Sequence, residues 1–159
     1  MYSRNIEMGG NFTGVKNQKL TRLALGLAAI VVAAVAADPA LVQPAEVAAQ
    51  LAGKGMRPAV FMVGPNVLYR SKHIPGSVYA GPGNGEAGLA MLKAEADKLP
   101  RDREVVLYCG CCPWDHCPNV KPAVDLLKRM GFTKAKAMYL GTGFKADWLD
   151  KGYPAEAAQ

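Results

Sequence analysis

All four cysteines of the chain lie within nine residues, in the stretch YCGCCPWDHCPN that runs from Tyr108 to Asn119. His116 stands directly before the last of them. The cysteines are Cys109, Cys111, Cys112 and Cys117. Thiols crowded in this way can carry sulfur as persulfides, exchange disulfides or bind a soft metal ion, so this stretch is the candidate site.

Three uses of the cluster remain open from the residues alone. In the first, Cys109 is the nucleophile that takes up sulfur as a persulfide, and Cys111, Cys112 or Cys117 resolves this persulfide by thiol exchange. Cys117, eight residues away, can fold back onto Cys109, whereas Cys111 is only two residues away and has little freedom to meet disulfide geometry. A resolving thiol would also protect Cys109 from irreversible oxidation.

In the second use, the four thiols and His116 hold a soft metal ion, Cu(I) or Zn(II), although the spacing is not that of paired C-x2-C zinc motifs. In the third use, the cluster is only structural, and one disulfide cross-links the loop. Cys112–Cys117 or Cys109–Cys117 would be the pair, because a vicinal Cys111–Cys112 bond would be strained.

The elements around the loop place Cys109 at the end of a strand. The run EVVLYC predicts a buried strand that leads directly into the loop. Beyond the loop, Pro122 suits the first position of a helix and Gly131 suits its C′ position. A strand–loop–helix offers backbone N–H groups and a helix N-terminus, and we expect them to favour a thiolate at Cys109.

The other periodic segments predict strands and helices in alternation. Residues 44–53 and 86–99 read as helices, and the runs PAVFMVG, SVYA and AKAMYL read as short strands. This order predicts an α/β domain with a mainly parallel central sheet flanked by helices. Ligands of such sheets bind beyond the carboxyl ends of the strands, where Cys109 stands.

The N-terminal segment has the pattern of an export signal. Four basic residues precede the uncharged run LALGLAAIVVAAVAA, and Val35 and Ala37 are small residues suited to cleavage before Asp38. We expect a signal peptide at 1–37, or an uncleaved membrane anchor, followed by one domain at 38–159. The domain keeps 15 of the 19 Lys and Arg against 12 of the 13 Asp and Glu, so no basic surface for nucleic acid is indicated.

Four further motifs resemble the landmarks of a single rhodanese-like domain, in the right order and spacing over residues 41–154. They are HIPGS, VVLYC ending at Cys109, LLKRMGF and LGTGFKADWLDKGYP. The resemblance implies a rhodanese α/β fold in which Cys109 accepts sulfane sulfur as a persulfide and passes it to a thiophilic acceptor.

The active loop departs from that family. It is about twice as long as usual, residues 110–119 contain no Lys or Arg, and FMVGPN replaces the usual Asp-x-Arg after the first strand. Thiosulfate is therefore expected to be a poor donor.

We accordingly expect an exported sulfurtransferase or thiol-redox protein, periplasmic or anchored through 1–37. Its partners would be a small sulfur donor or acceptor, or a protein thiol, with no cofactor. The alternatives are a Cu- or Zn-binding module using the same loop and a catalytically silent rhodanese fold used for protein interaction. Cys109, Cys117 and His116 are the expected catalytic residues. The expected substrate-binding residues are Gly110, Cys111, Cys112 and Trp114.

Overall fold

The apolar runs of the chain form the strands of a five-stranded sheet, and the amphipathic segments between them form its helices. A computed structural model describes residues 39–158, so the predicted export signal at 1–37 lies outside the described residues. The strands are β1 Ala40–Val42, β2 Ala59–Met62, β3 Val78–Tyr79, β4 Val105–Tyr108 and β5 Ala135–Met138. The α-helices are α1 Pro44–Ala52, α2 Asn66–Ser71, α3 Glu86–Ala96 and α4 Val120–Arg129.

The strand order is β1-β5-β4-β2-β3, and every pair of neighbours is parallel. Strand β4 is central: its Val106 pairs with Val60 of β2 on one side and with Lys136 of β5 on the other. The predicted α/β fold with a parallel sheet is confirmed, and all the carboxyl ends meet at one edge.

Each face of the sheet is covered by its own apolar cluster, because alternate side chains of a strand point to opposite faces. Val105, Leu107 and Cys109 belong to the cluster that α3 and α4 complete. Val106 and Tyr108 belong to the opposite cluster, completed by residues of α1, α2 and the π-helical segment Lys145–Leu149. The strand period therefore directs the Cys109 side chain toward α4.

The predicted elements next to the site are present, with one difference in detail. Pro122 is the third residue of α4 rather than the first, which the first turn of a helix tolerates because its N–H groups have no intrahelical partner. Gly131 follows the last helical turn with a φ of 89°, as expected for C′. Strand β1 and helix α2 were not predicted from the sequence.

Two buried residues away from the cysteine loop, His73 and Trp148, hold the chain through hydrogen bonds and ring packing. His73 is buried, its Nδ1 donates to the Tyr69 carbonyl oxygen at 2.8 Å, and its ring stacks on Tyr69. Trp148 is fully buried and donates from Nε1 to the Pro154 carbonyl oxygen at 2.9 Å. Within residues 39–158, no helix has the length and apolar content needed to span a bilayer.

Candidate functional site

Cys109 is the first residue after β4 and lies beneath the cysteine loop at the carboxyl edge of the sheet. Its side chain is 2% exposed and belongs to the apolar cluster on the α4 face. The loop continues through the short 3-10 turn Trp114–His116 into α4. The predicted strand-end position of Cys109 is therefore present in the fold.

The loop brings all four thiols together. Their Sγ atoms all lie within 4.8 Å of one another, and the four cysteines are free. Cys109 Sγ is 3.0 Å from Cys111 Sγ, which is 3.1 Å from Cys112 Sγ. The loop turns sharply enough to bring the Cys109 and Cys111 sulfurs into contact, whereas the expectation that these two cysteines do not suit disulfide geometry stays a prediction.

The N-terminus of α4 faces Cys117 and not Cys109. Donation from the Cys109 thiol and from the backbone N–H groups of Asn119 and Val120 lowers the pKa of Cys117 to about 5. Donation to Cys117 and burial raise the pKa of Cys109, and burial raises the pKa of Cys112 to about 12. These directions favour a thiolate at Cys117 over the expected one at Cys109, because the chain reaches the helix N-terminus only after Cys117.

Asn119 is a site residue that sequence reasoning missed. Its buried side chain accepts from the Asn84 N–H through Oδ1 at 3.2 Å. This bond fixes the amide orientation, so Nδ2 donates toward Cys109 Sγ at 3.4 Å and Cys111 Sγ at 3.7 Å. Gly83 packs so closely on Asn119 that a Cβ there would overlap the Asn119 carbonyl, so this glycine supports the position of Asn119. An Asn at a helix start was the available signal.

Gly64 lies directly beside Cys109. A Cβ at position 64 would come 2.9 Å from Cys109 Sγ, closer than side chains pack. The glycine belongs to FMVGPN, which replaces the Asp-x-Arg of the resembling family. In this chain, the glycine at position 64 leaves room for the Cys109 sulfur atom.

A cleft of about 350 Å³ opens above the loop. It is lined on one side by the loop and on the other by the segment after β5; the lining residues are Gly110, Cys111, Cys112, Pro113, Thr142, Gly143, Phe144, Lys145 and Ala146. Cys111 is exposed and Cys112 half-buried, whereas Cys109 lies beneath them. Lys145 Nζ bonds both carboxylate oxygens of Asp150, at 2.6 and 2.9 Å.

The two remaining predicted site residues lie at the margin of this arrangement. His116 is exposed in the 3-10 turn and lies outside the four-sulfur cluster found within residues 39–158. Trp114 is partly buried against the α4-side core, and its ring lies under the Lys121 ammonium. Its backbone N–H donates to the Leu140 carbonyl oxygen at 2.7 Å. Of the predicted substrate-binding residues, Gly110, Cys111 and Cys112 line the cleft.

No protein-family model and no curated protein sequence matches the chain. Solved structures do match. The rhodanese-like domain of an Anabaena protein superposes with a TM-score of 0.55 at 21% identity, over 76% of this chain and 80% of that one. The single-domain sulfurtransferase of Saccharomyces cerevisiae gives 0.52 at 19%, over 72% and 91%.

The polysulfide-sulfur transferase of Wolinella succinogenes, a homodimer, gives a TM-score of 0.53 at 17% identity, over 77% of this chain and 82% of that one. At these identities, the similarity concerns the course of the backbone and not the residues of the loop. The parallel five-stranded sheet and these superpositions together show that residues 39–158 adopt the rhodanese-like fold.

Proposed function

We propose that the protein transfers sulfane sulfur, or exchanges thiols and disulfides, through a persulfide on Cys109. The observation that carries the proposal is the placement of Cys109 at the end of the central strand, with three further thiols within 4.8 Å. Sulfur transfer needs a nucleophilic thiol, a proton acceptor beside it and a second thiol to remove the product, and the cluster supplies all three.

In the first step, Cys109 Sγ attacks the terminal sulfur of a neutral persulfide donor R–S–SH. The S–S bond of the donor breaks, R–S⁻ leaves, and Cys109 becomes the persulfide Cys109–S–SH. Cys109 is hydrogen-bonded to Cys117, so its proton passes through the Cys117 sulfur to the departing R–S⁻. Cys117 therefore relays the proton in this step, and the exposed His116 is not needed for it.

The persulfide has two fates. An acceptor thiolate that enters the cleft can attack the outer sulfur, which returns Cys109 as a thiolate and leaves the acceptor as a persulfide. Alternatively, Cys111 attacks the Cys109 sulfur, forms a Cys109–Cys111 disulfide and releases HS⁻; an external dithiol must then reduce the disulfide. The 3.0 Å separation of these sulfurs favours Cys111 in this second route, and Cys117 is the other candidate.

The cleft favours neutral or protein-bound donors over small anions. Among the cleft-lining residues within 39–158, Lys145 carries the cationic charge, and Asp150 pairs with it. Recognition of an anion relies on charge-assisted donors, which this cleft supplies poorly. A protein persulfide could instead place its sulfur at the mouth formed by Cys111 and Cys112.

We also propose that residues 1–37 direct the chain out of the cytoplasm, to the periplasm or to the outer face of a membrane. The proposal rests on the basic segment followed by fifteen uncharged residues. Sequencing the N-terminus of the protein purified from its native cells tests it: a start at Asp38 supports cleavage, and a start at Met1 in a cytoplasmic fraction contradicts export.

The test of sulfur transfer is mass spectrometry of the full-length, reduced protein after incubation with a small organic persulfide. We expect one added sulfur, located on Cys109 after alkylation and peptide mapping. Cys109→Ser should take up none, whereas Cys111→Ser should load normally and release less sulfide. A Cys109→Ser variant that still gains sulfane sulfur at the wild-type level would show that another thiol is the carrier.

A further inference from the structure

The four sulfurs form a compact donor set with dimensions suited to a single ion. A tetrahedral thiolate site with metal–sulfur bonds of about 2.3 Å places its sulfurs about 3.8 Å apart. All four Sγ atoms lie within 4.8 Å of one another, so all can reach one centre. The Cys109–Cys111 and Cys111–Cys112 sulfur pairs, at 3.0 and 3.1 Å, need to separate by only about 1 Å or less to reach tetrahedral spacing.

We propose that Cys109, Cys111, Cys112 and Cys117 together bind one soft, thiophilic metal ion of the Zn(II) or Cu(I) type. A donor set of four sulfurs selects such ions over hard cations. An iron–sulfur cluster distributes its four cysteines over two or four iron atoms, so it needs a wider arrangement than this one. His116 is not a ligand in this site, because it lies outside the four-sulfur group.

The polar groups packed against the sulfurs supply a second, independent observation. Asn119 Nδ2 points at Cys109 and Cys111, and its orientation is set by the bond from the Asn84 N–H to Oδ1. An amide NH2 group can only donate, so it is complementary to electron-rich sulfur. The backbone N–H groups of Asn119 and Val120 donate to Cys117 in the same way. Donors of this kind hold metal ligands in place and offset the charge of four thiolates around one ion.

The burial of the ligands indicates an ion that exchanges. Cys109 lies at the floor and is 2% exposed, whereas Cys111 and Cys112 line the cleft. An ion arriving through the cleft meets these two sulfurs first and leaves past them. The apolar clusters on both faces of the sheet are complete without the ion, so its removal should leave the domain folded. These features suit a carrier that passes the ion to another thiolate ligand set.

Metal binding and sulfur transfer would use the same Cys109 sulfur and therefore exclude each other at any moment. The metal proposal does not depend on the sulfur-transfer proposal, since binding is measured without any sulfur donor. If only one of the two activities is found, the two proposals are separated directly.

The primary test is an anaerobic titration of the full-length, reduced, metal-free protein with Co(II), followed by displacement with Zn(II). We expect one Co(II) per chain, with a thiolate-to-metal charge-transfer band and the intense visible bands of tetrahedral coordination. Zn(II) should abolish both and protect all four cysteines from alkylation. Binding without charge-transfer bands, or protection of fewer than four cysteines, would overturn the four-sulfur site.

Variants then locate the ligands and their support. Cys112→Ser should bind Co(II) more weakly, with a weaker thiolate charge-transfer band and shifted visible bands, because three thiolates remain. Asn119→Ala should bind about 10–100-fold more weakly with the wild-type spectrum retained. His116→Ala is the matched control and should bind as the wild type does. Circular dichroism of each metal-free variant checks the fold, and the wild-type titration decides the proposal if a variant does not fold. Loss of binding in His116→Ala, or unchanged binding in Cys112→Ser, contradicts it.

Discussion

Replacing Gly64 with alanine would press a methyl group against the Cys109 sulfur. The new Cβ would lie 2.9 Å from Cys109 Sγ, and 3.5 Å from both the Gly110 nitrogen and Met62 Cε. The backbone at position 64 does not lie in the left-handed region, so alanine meets no backbone strain there. The substitution therefore isolates the contact between position 64 and the sulfur.

The expected size of the effect follows from this contact. Overpacking by one methyl group costs about 1–3 kcal/mol in a packed region, and the Gly→Ala change returns about 0.4–1 kcal/mol through the unfolded chain. We expect the free energy of unfolding to fall by about 1–2 kcal/mol. This loss corresponds to a Tm lower by roughly 4–8 °C in a domain of this size. The displaced sulfur would also move relative to Asn119, and sulfur uptake should fall by roughly 10–100-fold.

Gly55→Ala is the matched control. A Cβ at position 55 would meet nothing within 4 Å, and its backbone is also outside the left-handed region. This variant should be as stable as the wild type or more stable by about 0.4–1 kcal/mol, with unchanged sulfur uptake. Urea unfolding of the reduced, metal-free proteins measures stability, and mass spectrometry of the persulfide measures uptake. If Gly64→Ala matches Gly55→Ala in both measurements, the packing of position 64 against Cys109 is refuted.

Three further predictions concern the sheet and the cleft. Tyr108→Phe removes a fully buried hydroxyl that accepts from the Ile74 N–H at 3.2 Å. The free energy of unfolding should fall by about 1–3 kcal/mol, and an unchanged urea midpoint would contradict this hydrogen bond. The hydrogen bond from Lys136 lowers the pKa of Glu104, so their pairing stabilises the fold fully above the ordinary carboxyl pKa and less as the pH falls through the lowered value. Glu104→Gln should therefore lower stability at pH 7 by up to about 1 kcal/mol and leave it unchanged in strong acid, and an equal loss at both pH values would exclude the ion pair as the cause. In this cleft, thiosulfate lacks charge-assisted hydrogen bonds worth about 1.5–3 kcal/mol, so its kcat/KM should be roughly 10–100-fold below that of a neutral organic persulfide. A steady-state preference for thiosulfate would show that Lys145 or backbone donors suffice to bind the anion.

The elements predicted correctly are those whose signals are local. Strand β4 is a continuous apolar run, α1 begins at a proline and ends before Gly53, and Gly131 follows the end of α4. These signals act between residues a few positions apart, so they can be identified without knowing the fold. The position of Cys109 at a strand end follows from them directly.

The elements that were missed depend on distant partners. Strand β1 has three residues and exists because it pairs with β5, almost a hundred positions further along the chain. The six-residue helix α2 packs only partly buried residues against the core, so its apolar stripe is too short for a sequence pattern to detect. Neither segment carries enough local information to be recognised before the sheet order is known.

The cysteine-rich stretch by itself determined which residues form the candidate site and which chemistries are open to it. The tertiary structure alone decided how the sulfurs are arranged. Donation from Cys109 and from the helix N-terminus lowers the pKa of Cys117. Asn119 is turned toward two sulfurs by the distant Asn84, and Gly64 leaves space for the Cys109 sulfur. Each of these depends on the parallel sheet, which gathers the ends of β2 and β4 and the start of α4 at one edge. Spacing along the chain reports which groups are available, whereas the electrostatics and packing of a thiol depend on what the fold places against it.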